Sequence, residues 1–205
     1  MKSILISIRP KWVEKIASGK KTIEVRKTAP KGTPFKAYIY CTRITDKKHC
    51  RDEFDVGVWK GNEHVIGEFI CDKVYSIKNQ DSRFSVADEE KGVTNDIARQ
   101  SCLDYDDMVS YLGNKDGYGW HISDLKIYDK LKALWQFYKR GAKMFEELSD
   151  GTELCEYCKF PSQGLYLCEG RFCDAAYEAY LDCNFTLTRP PQSWQYVEEL
   201  CKAQN

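Results

Sequence analysis

The sequence predicts an α+β protein: a small mixed β-barrel with helical decoration and a late cysteine-rich insertion. Three observations predict it. Short apolar or alternating segments recur along the chain, bounded by turn residues. One well-marked helix lies between the first two of them. Five of the ten cysteines crowd into residues 155–183.

The elements follow in order. "SILISI", residues 3–8, is a short apolar strand, and Pro10 suits the first turn of a helix because its missing N–H would be unpaired there anyway. In "PKWVEKIASG" the residues Trp12, Val13, Ile16 and Ala17 share one helical face, and Gly19 stands where a left-handed cap belongs. In "KTIEVR" alternation puts Ile23 and Val25 on one face and Thr22, Glu24 and Arg26 on the other. "FKAYIYCT" is a third strand after the turn-rich "TAPKGTP". "HVIGEFICDKVYSI" reads as one long strand with Gly67 as a bulge.

Residues 79–117 are polar, with weak helical patterns at "TNDIARQ" and "YDDMVSYLG", and read as an excursion from the sheet. "YGWHISDLKIY" resumes strand character. "KLKALWQFYKRG" reads as a short helix, its first residues open to an extended reading. "FTLTRPPQSWQYVEEL" returns to strand, with Pro190 and Pro191 restricting that point to an edge or bend. A single domain over 1–205, with an insertion at 150–184, accounts for these segments.

With 42% hydrophobic and 30% charged residues the composition is that of a soluble globular protein. The apolar run "ILISI" meets Arg9, Pro10 and Lys11 at once, so it does not read as an export signal, and no stretch is long enough to span a bilayer. A cytoplasmic location without membrane contact is expected. The zero net charge hides an asymmetry: residues 1–48 carry 13 basic against 3 acidic residues, and 49–205 carry 18 against 28. Such a basic segment either meets phosphates or folds against the acidic remainder.

The spacing Gly19, Lys21, Glu24, Arg26 forms G-x-K-x-x-E-x-R after a strand and a helix. Here the sequence resembles the ASCH family, small β-barrel domains related to PUA domains, whose signature is this motif in this context. "YGWHISDLKIYDK" and "RPPQSWQYVEE" are similar to segments of ASCH proteins from phages and bacteria. The resemblance covers roughly residues 2–76, 118–139 and 185–199. It implies a PUA-like fold with a cleft beside the motif, and RNA, a nucleotide or a modified nucleoside as ligand. Some members are hydrolases or ribonucleases. One branch deacetylates N4-acetylcytidine with a lysine and a threonine in K-T-I-T-I-R and a glutamate elsewhere. This chain has K-T-I-E-V-R, so Lys21 carries over and Glu24 stands at the threonine position.

The residues themselves fit a polar cleft. Lys21 presents a point charge to a phosphate or oxyanion, and Arg26 a planar fork. Glu24 either accepts from the exocyclic amine of a base or holds Arg26, the plain alternative being a surface ion pair of little value. Trp120, His121 and Trp194 are the aromatic candidates for stacking on a base, with core packing as the competing fate of the tryptophans. Alternation lets only one of Trp120 and His121 face the cleft.

"CEYCKFPSQGLYLCEGRFC" places Cys155, Cys158, Cys168 and Cys173 as two thiolate pairs, the second at the start of a helical "DAAYEAYL". This suits one tetrahedral structural zinc, similar to a treble-clef or zinc-ribbon knuckle, with Cys183 as a spare ligand. The scattered Cys41, Cys50, Cys71, Cys102 and Cys201 read as inert buried thiols. Three functions stand open: an RNA- or nucleotide-binding module; a hydrolase in the same cleft with Lys21 as its catalytic group; and a phage or host protein-interaction scaffold.

Overall fold

The computed structural model describes residues 1–43, 63–80, 83–88, 92–94, 97–113, 115–137, 139, 146–147, 153–154 and 187–198. Strand β1 (Lys2–Ile8) leads into helix α1 (Pro10–Ala17), and β2 (Ile23–Arg26) and β3 (Phe35–Cys41) follow. Next come β4 (Val65–Cys71), β5 (Val74–Gln80), β6 (Arg83–Asp88) and β7 (Gly92–Thr94). Two short helices, α2 (Ile97–Ser101) and α3 (Tyr105–Leu112), precede β8 (Gly117–His121) and β9 (Ser123–Lys132). The pair β10 (Glu146–Glu147) and β11 (Glu153–Leu154) forms a two-stranded sheet, and β12 (Trp194–Val197) closes the described chain.

The strands build two five-stranded sheets, β12-β1-β3-β4-β9 and β2-β8-β5-β6-β7. The α+β class is as expected. Among the described residues the barrel takes the form of two open sheets joined by strands that pass from one to the other. The chain leaves the first sheet after β4, turns at Asp72 and Lys73, and enters the second as β5; it returns through Ile122 between β8 and β9. The two corners are tied together, since the His121 N–H donates to the Lys73 carbonyl at 3.0 Å and the Ile122 N–H to Thr22 at 2.9 Å.

Predicted as one strand, residues 64–77 therefore bend at 72–73, because each half pairs with a different sheet. Gly67 does mark an irregular register against β9, and the reason is steric: a Cβ there would lie 2.4 Å from the Lys126 carbonyl oxygen. The expected excursion at 79–117 adds to the sheet instead, as β6 pairs with β5 and β7 with β6. The helix expected near residues 130–141 is replaced by an extended chain to Lys132 and one 3-10 turn at Leu134–Gln136.

Three apolar clusters hold the layers. The main one joins Ile4, Ile6, Phe35 and Phe69 of the first sheet to Trp120 of the second and to Val13 and Ile16 of α1. Burial of each such side chain contributes about 1.5–3 kcal/mol. A second cluster seats α2 and α3 against the second sheet through Ile23, Val25, Ile77, Ile97, Met108 and Leu112. A third lies on the first sheet's other face, with Leu5, Tyr38, Tyr40, Val65 and Phe137. No helix among the described residues is long and apolar enough to cross a membrane.

Candidate functional site

Strand β2 is buried along its whole length, although among the described residues it pairs with a neighbour on one side only. Ile23 and Val25 point into the second cluster, so Glu24 and Arg26 face the other way, as alternation requires. Lys21 reaches them from the turn ahead of the strand. Gly19, at φ 72°, lets α1 end there, and the Lys21 N–H donates to the Lys15 carbonyl.

The three charges form one buried chain. Lys21 Nζ lies 3.3 Å from Glu24 Oε2, and Arg26 Nη2 2.9 Å from Glu24 Oε1. Lys21, Glu24 and Arg26 are 2%, 6% and 6% exposed, which removes the surface-pair reading. Lys21 Nζ also donates to the Ser101 carbonyl at 2.6 Å, Arg26 Nη2 to the Ser7 carbonyl at 2.7 Å, and Arg26 Nη1 to Ser193 Oγ at 3.3 Å. Arg26 Nε–H has no partner among the described residues. Both Glu24 oxygens are held by cations, so Glu24 fixes its two neighbours in place. Burial pushes the Lys21 amine below the ordinary lysine range and Arg26 adds to this, against the pull of the Glu24 carboxylate.

This triad lines a pocket of about 370 Å³. Its other walls come from Ser7, Ile8, Arg9, Lys11 and Trp12, and from Leu103, Asp107, Ser110 and Tyr111, with Val25, Thr42 and Gln192 completing it. Trp12, half-buried, has the ammoniums of Lys11, Lys15 and Lys21 at 4.2, 5.2 and 5.3 Å from its ring centroid. Tyr111 has Lys27 at 5.4 Å.

The aromatic residues expected at the cleft are elsewhere. Trp120 is fully buried against Phe35 and Trp194, in edge contacts at 5.2 and 5.9 Å, because its face of β8 closes the main core. Trp194 donates from Nε1 to Thr28 Oγ1 at 3.0 Å and packs on Tyr196. His121 lies at the corner between the sheets, where Nδ1 is 2.7 Å from Asp72 Oδ1. None of the three lines the pocket. Sequence reasoning placed Trp12 on the packed face of α1 and left Tyr111 in the excursion. The signal for Trp12 was the basic company of Lys11 and Lys15, which an apolar stripe does not call for.

Cys155, Cys158, Cys168, Cys173 and Cys183 lie outside the described residues. Among the described ones, no group of three or more histidine, cysteine or acidic side chains is placed to hold a metal. Cys41 and Cys71 are buried with thiols pushed up to about 12 by that burial, whereas Cys102 is only half-buried.

The arrangement of two sheets has solved counterparts. A serine-to-alanine variant of ASCH from Zymomonas mobilis matches with a TM-score of 0.50 at 16% identity, over 97% of this chain and 89% of that one. The chain has the fold of an ASCH domain. The unsubstituted Zymomonas mobilis ASCH gives 0.48 at 16% identity over the same shares, and a tyrosine-to-phenylalanine variant gives 0.44 at 17%, over 65% and 77%. No family model and no curated protein matches the sequence. At this identity the likeness shows the ASCH fold alone.

Proposed function

We propose that this ASCH-fold protein binds a nucleotide, either free or as part of an RNA, in the pocket beside β2. The observation that carries the reading is the meeting of Lys21, Glu24 and Arg26 with two aromatic rings and the outer cations Arg9 and Lys11 in one cavity. At about 370 Å³ the pocket is near the lower end of the roughly 300–1,000 Å³ usual for ligand sites, which suits one nucleotide rather than a duplex. Trp12 and Tyr111 offer faces for a base. Arg9 and Lys11 offer phosphate contacts, while Lys21, with two of its three donors engaged, keeps one for the ligand. Calorimetric titration with nucleoside monophosphates and short single-stranded RNA tests it. Binding that falls at least tenfold in Arg9→Ala/Lys11→Ala is expected, and binding indifferent to that change sinks the reading.

A second reading, hydrolysis of a nucleoside amide or an RNA phosphodiester, is favoured by one observation. Burial lowers the Lys21 pKa, which is the direction a proton-accepting lysine requires. Arg26 would then face the developing negative charge. Lys21→Arg decides between the two, because guanidinium keeps the charge but gives up the proton-accepting amine. Turnover of N4-acetylcytidine or RNA lost in that variant with affinity changed only a few-fold supports catalysis; no turnover in the wild-type protein leaves binding alone.

A further inference from the structure

The first sheet carries a second concentration of positive charge, away from the pocket triad. Tyr38, Glu68 and Lys126 stand opposite one another across β3, β4 and β9, which puts all three on the face turned away from the main core. Glu68 accepts from the Tyr128 hydroxyl at 2.6 Å and has Lys36 Nζ at 3.8 Å. Lys132 lies with its ammonium 4.3 Å from the centre of the Tyr128 ring. One ammonium, that of Lys36, thus faces a carboxylate that already holds a tyrosine hydroxyl, and Lys132 and Lys126 bring two more positive charges to the same stretch of the sheet. Burial lowers Lys132 below the ordinary lysine range; Glu68 pulls it up, and Lys126 and Lys36 push it further down. The lysines therefore repel one another, and an added anion relieves the repulsion.

The position of the cluster matters as much as its charge. Among the described residues β9 is the edge of its sheet. Lys132 pairs with Val65, and Val65 with Tyr40, two residues from pocket-lining Thr42. The cluster therefore starts at the pocket's level of the sheet and runs along β9 through Tyr128 to Lys126.

We propose that this face is a backbone track: Lys132 and Lys126 hold successive phosphates of a single-stranded nucleic acid whose end nucleotide occupies the pocket, with Tyr128 steadying the Lys132 ammonium between them. The proposal rests on the pocket reading for its starting point, but its charges are separate. Lysine ammoniums spaced along one strand of the sheet are what such a chain needs, since its phosphates carry the charge whatever the bases.

Affinities for UMP and for a single-stranded U10 oligonucleotide, measured over a salt series, test it. Lys126→Gln/Lys132→Gln keeps the side-chain stems and removes two charges. UMP affinity should stay within twofold, while U10 loses about tenfold and the slope of log affinity against log salt shrinks by about 1.4, two lysines at about 0.7 each. U10 binding no tighter than UMP binding, or unchanged by the double substitution, overturns the track. If UMP fails to bind while U10 still depends on these lysines, the pocket reading falls and the track stands; if neither probe binds, both fall. Displacement of U10 by polyglutamate as readily as by unlabelled U10 also overturns the proposal, because it makes the face a general acidic-protein surface.

Discussion

Replacing Glu24 with Gln leaves two cations in a space that was built around one anion. An exposed ion pair contributes about 0–1 kcal/mol, whereas removing one partner of a buried pair costs about 3–5 kcal/mol. The 2% and 6% exposures of the triad put this site in the second class. Lys21 can escape by giving up its proton, since its affinity for it is already lowered, but Arg26 cannot, and it is held by Ser7 and Ser193. The expected loss is therefore near 3 kcal/mol, with Arg26 as its main source. At about 2–4 °C per kcal/mol for a chain of this size, thermal unfolding followed by circular dichroism should shift down by roughly 6–12 °C. In an Arg26→Met background the same Glu24→Gln change should cost less than half as much. A shift of only about 2 °C, or equal costs in the two backgrounds, would refute the claim that the triad is buried and mutually dependent.

Further outcomes follow from other residues. Lys21 binds its proton less tightly folded than unfolded, so the unfolded chain holds more protons at pH values between the lowered folded value and the ordinary lysine value of 10.5, and stability should rise with pH across that window. The difference in urea midpoint between wild type and Lys21→Met checks this, and a falling contribution contradicts it. At Asp72, burial works to raise the carboxyl pKa, but the His121 hydrogen bond and charge outweigh it, leaving the pKa below the ordinary value of 3.8. Its stabilisation should be present above that value and lost as pH falls through the lowered one; Asp72→Asn should flatten this part of the acid transition. Alkylation of the native protein at pH 8, resolved by mass spectrometry, should modify Cys102 well before Cys41 and Cys71, whose thiols stay protonated. The thiolate donors of Cys155, Cys158, Cys168 and Cys173 suit zinc, and metal analysis should find one per chain. A reduced, folded chain without metal contradicts that assignment.

The face of a short strand was legible in the sequence and the depth at which it lies was not. Alternation in "KTIEVR" correctly separated Ile23 and Val25 from Glu24 and Arg26, because period two is a local property of the backbone. It could not tell that Lys21 would meet the Ser101 carbonyl, 80 residues away, which depends on how α2 docks on β2. The same limit misplaced the aromatic wall. Trp120 belongs to the core because its face of β8 closes the main cluster against the first sheet, and Trp12 belongs to the pocket because α1 presents its edge there. Both outcomes are tertiary. The bend falls on the charged pair Asp72 and Lys73 between two apolar runs, a break in the alternation that carries no Gly or Pro to mark it as a corner.

The proposed seat of the nucleotide, among Lys21, Arg26, Trp12 and Tyr111, can be read residue by residue. Two-dimensional 1H–15N spectra of the protein titrated with nucleoside monophosphates and short RNA test it most directly, since each tryptophan indole reports its own surroundings. Shifts at the Trp12 indole and at the Tyr111 amide that saturate with ligand are expected, with the buried Trp120 indole unmoved. Saturating shifts at Trp194 or His121 with Trp12 unchanged, or no shifts at millimolar ligand, would contradict it.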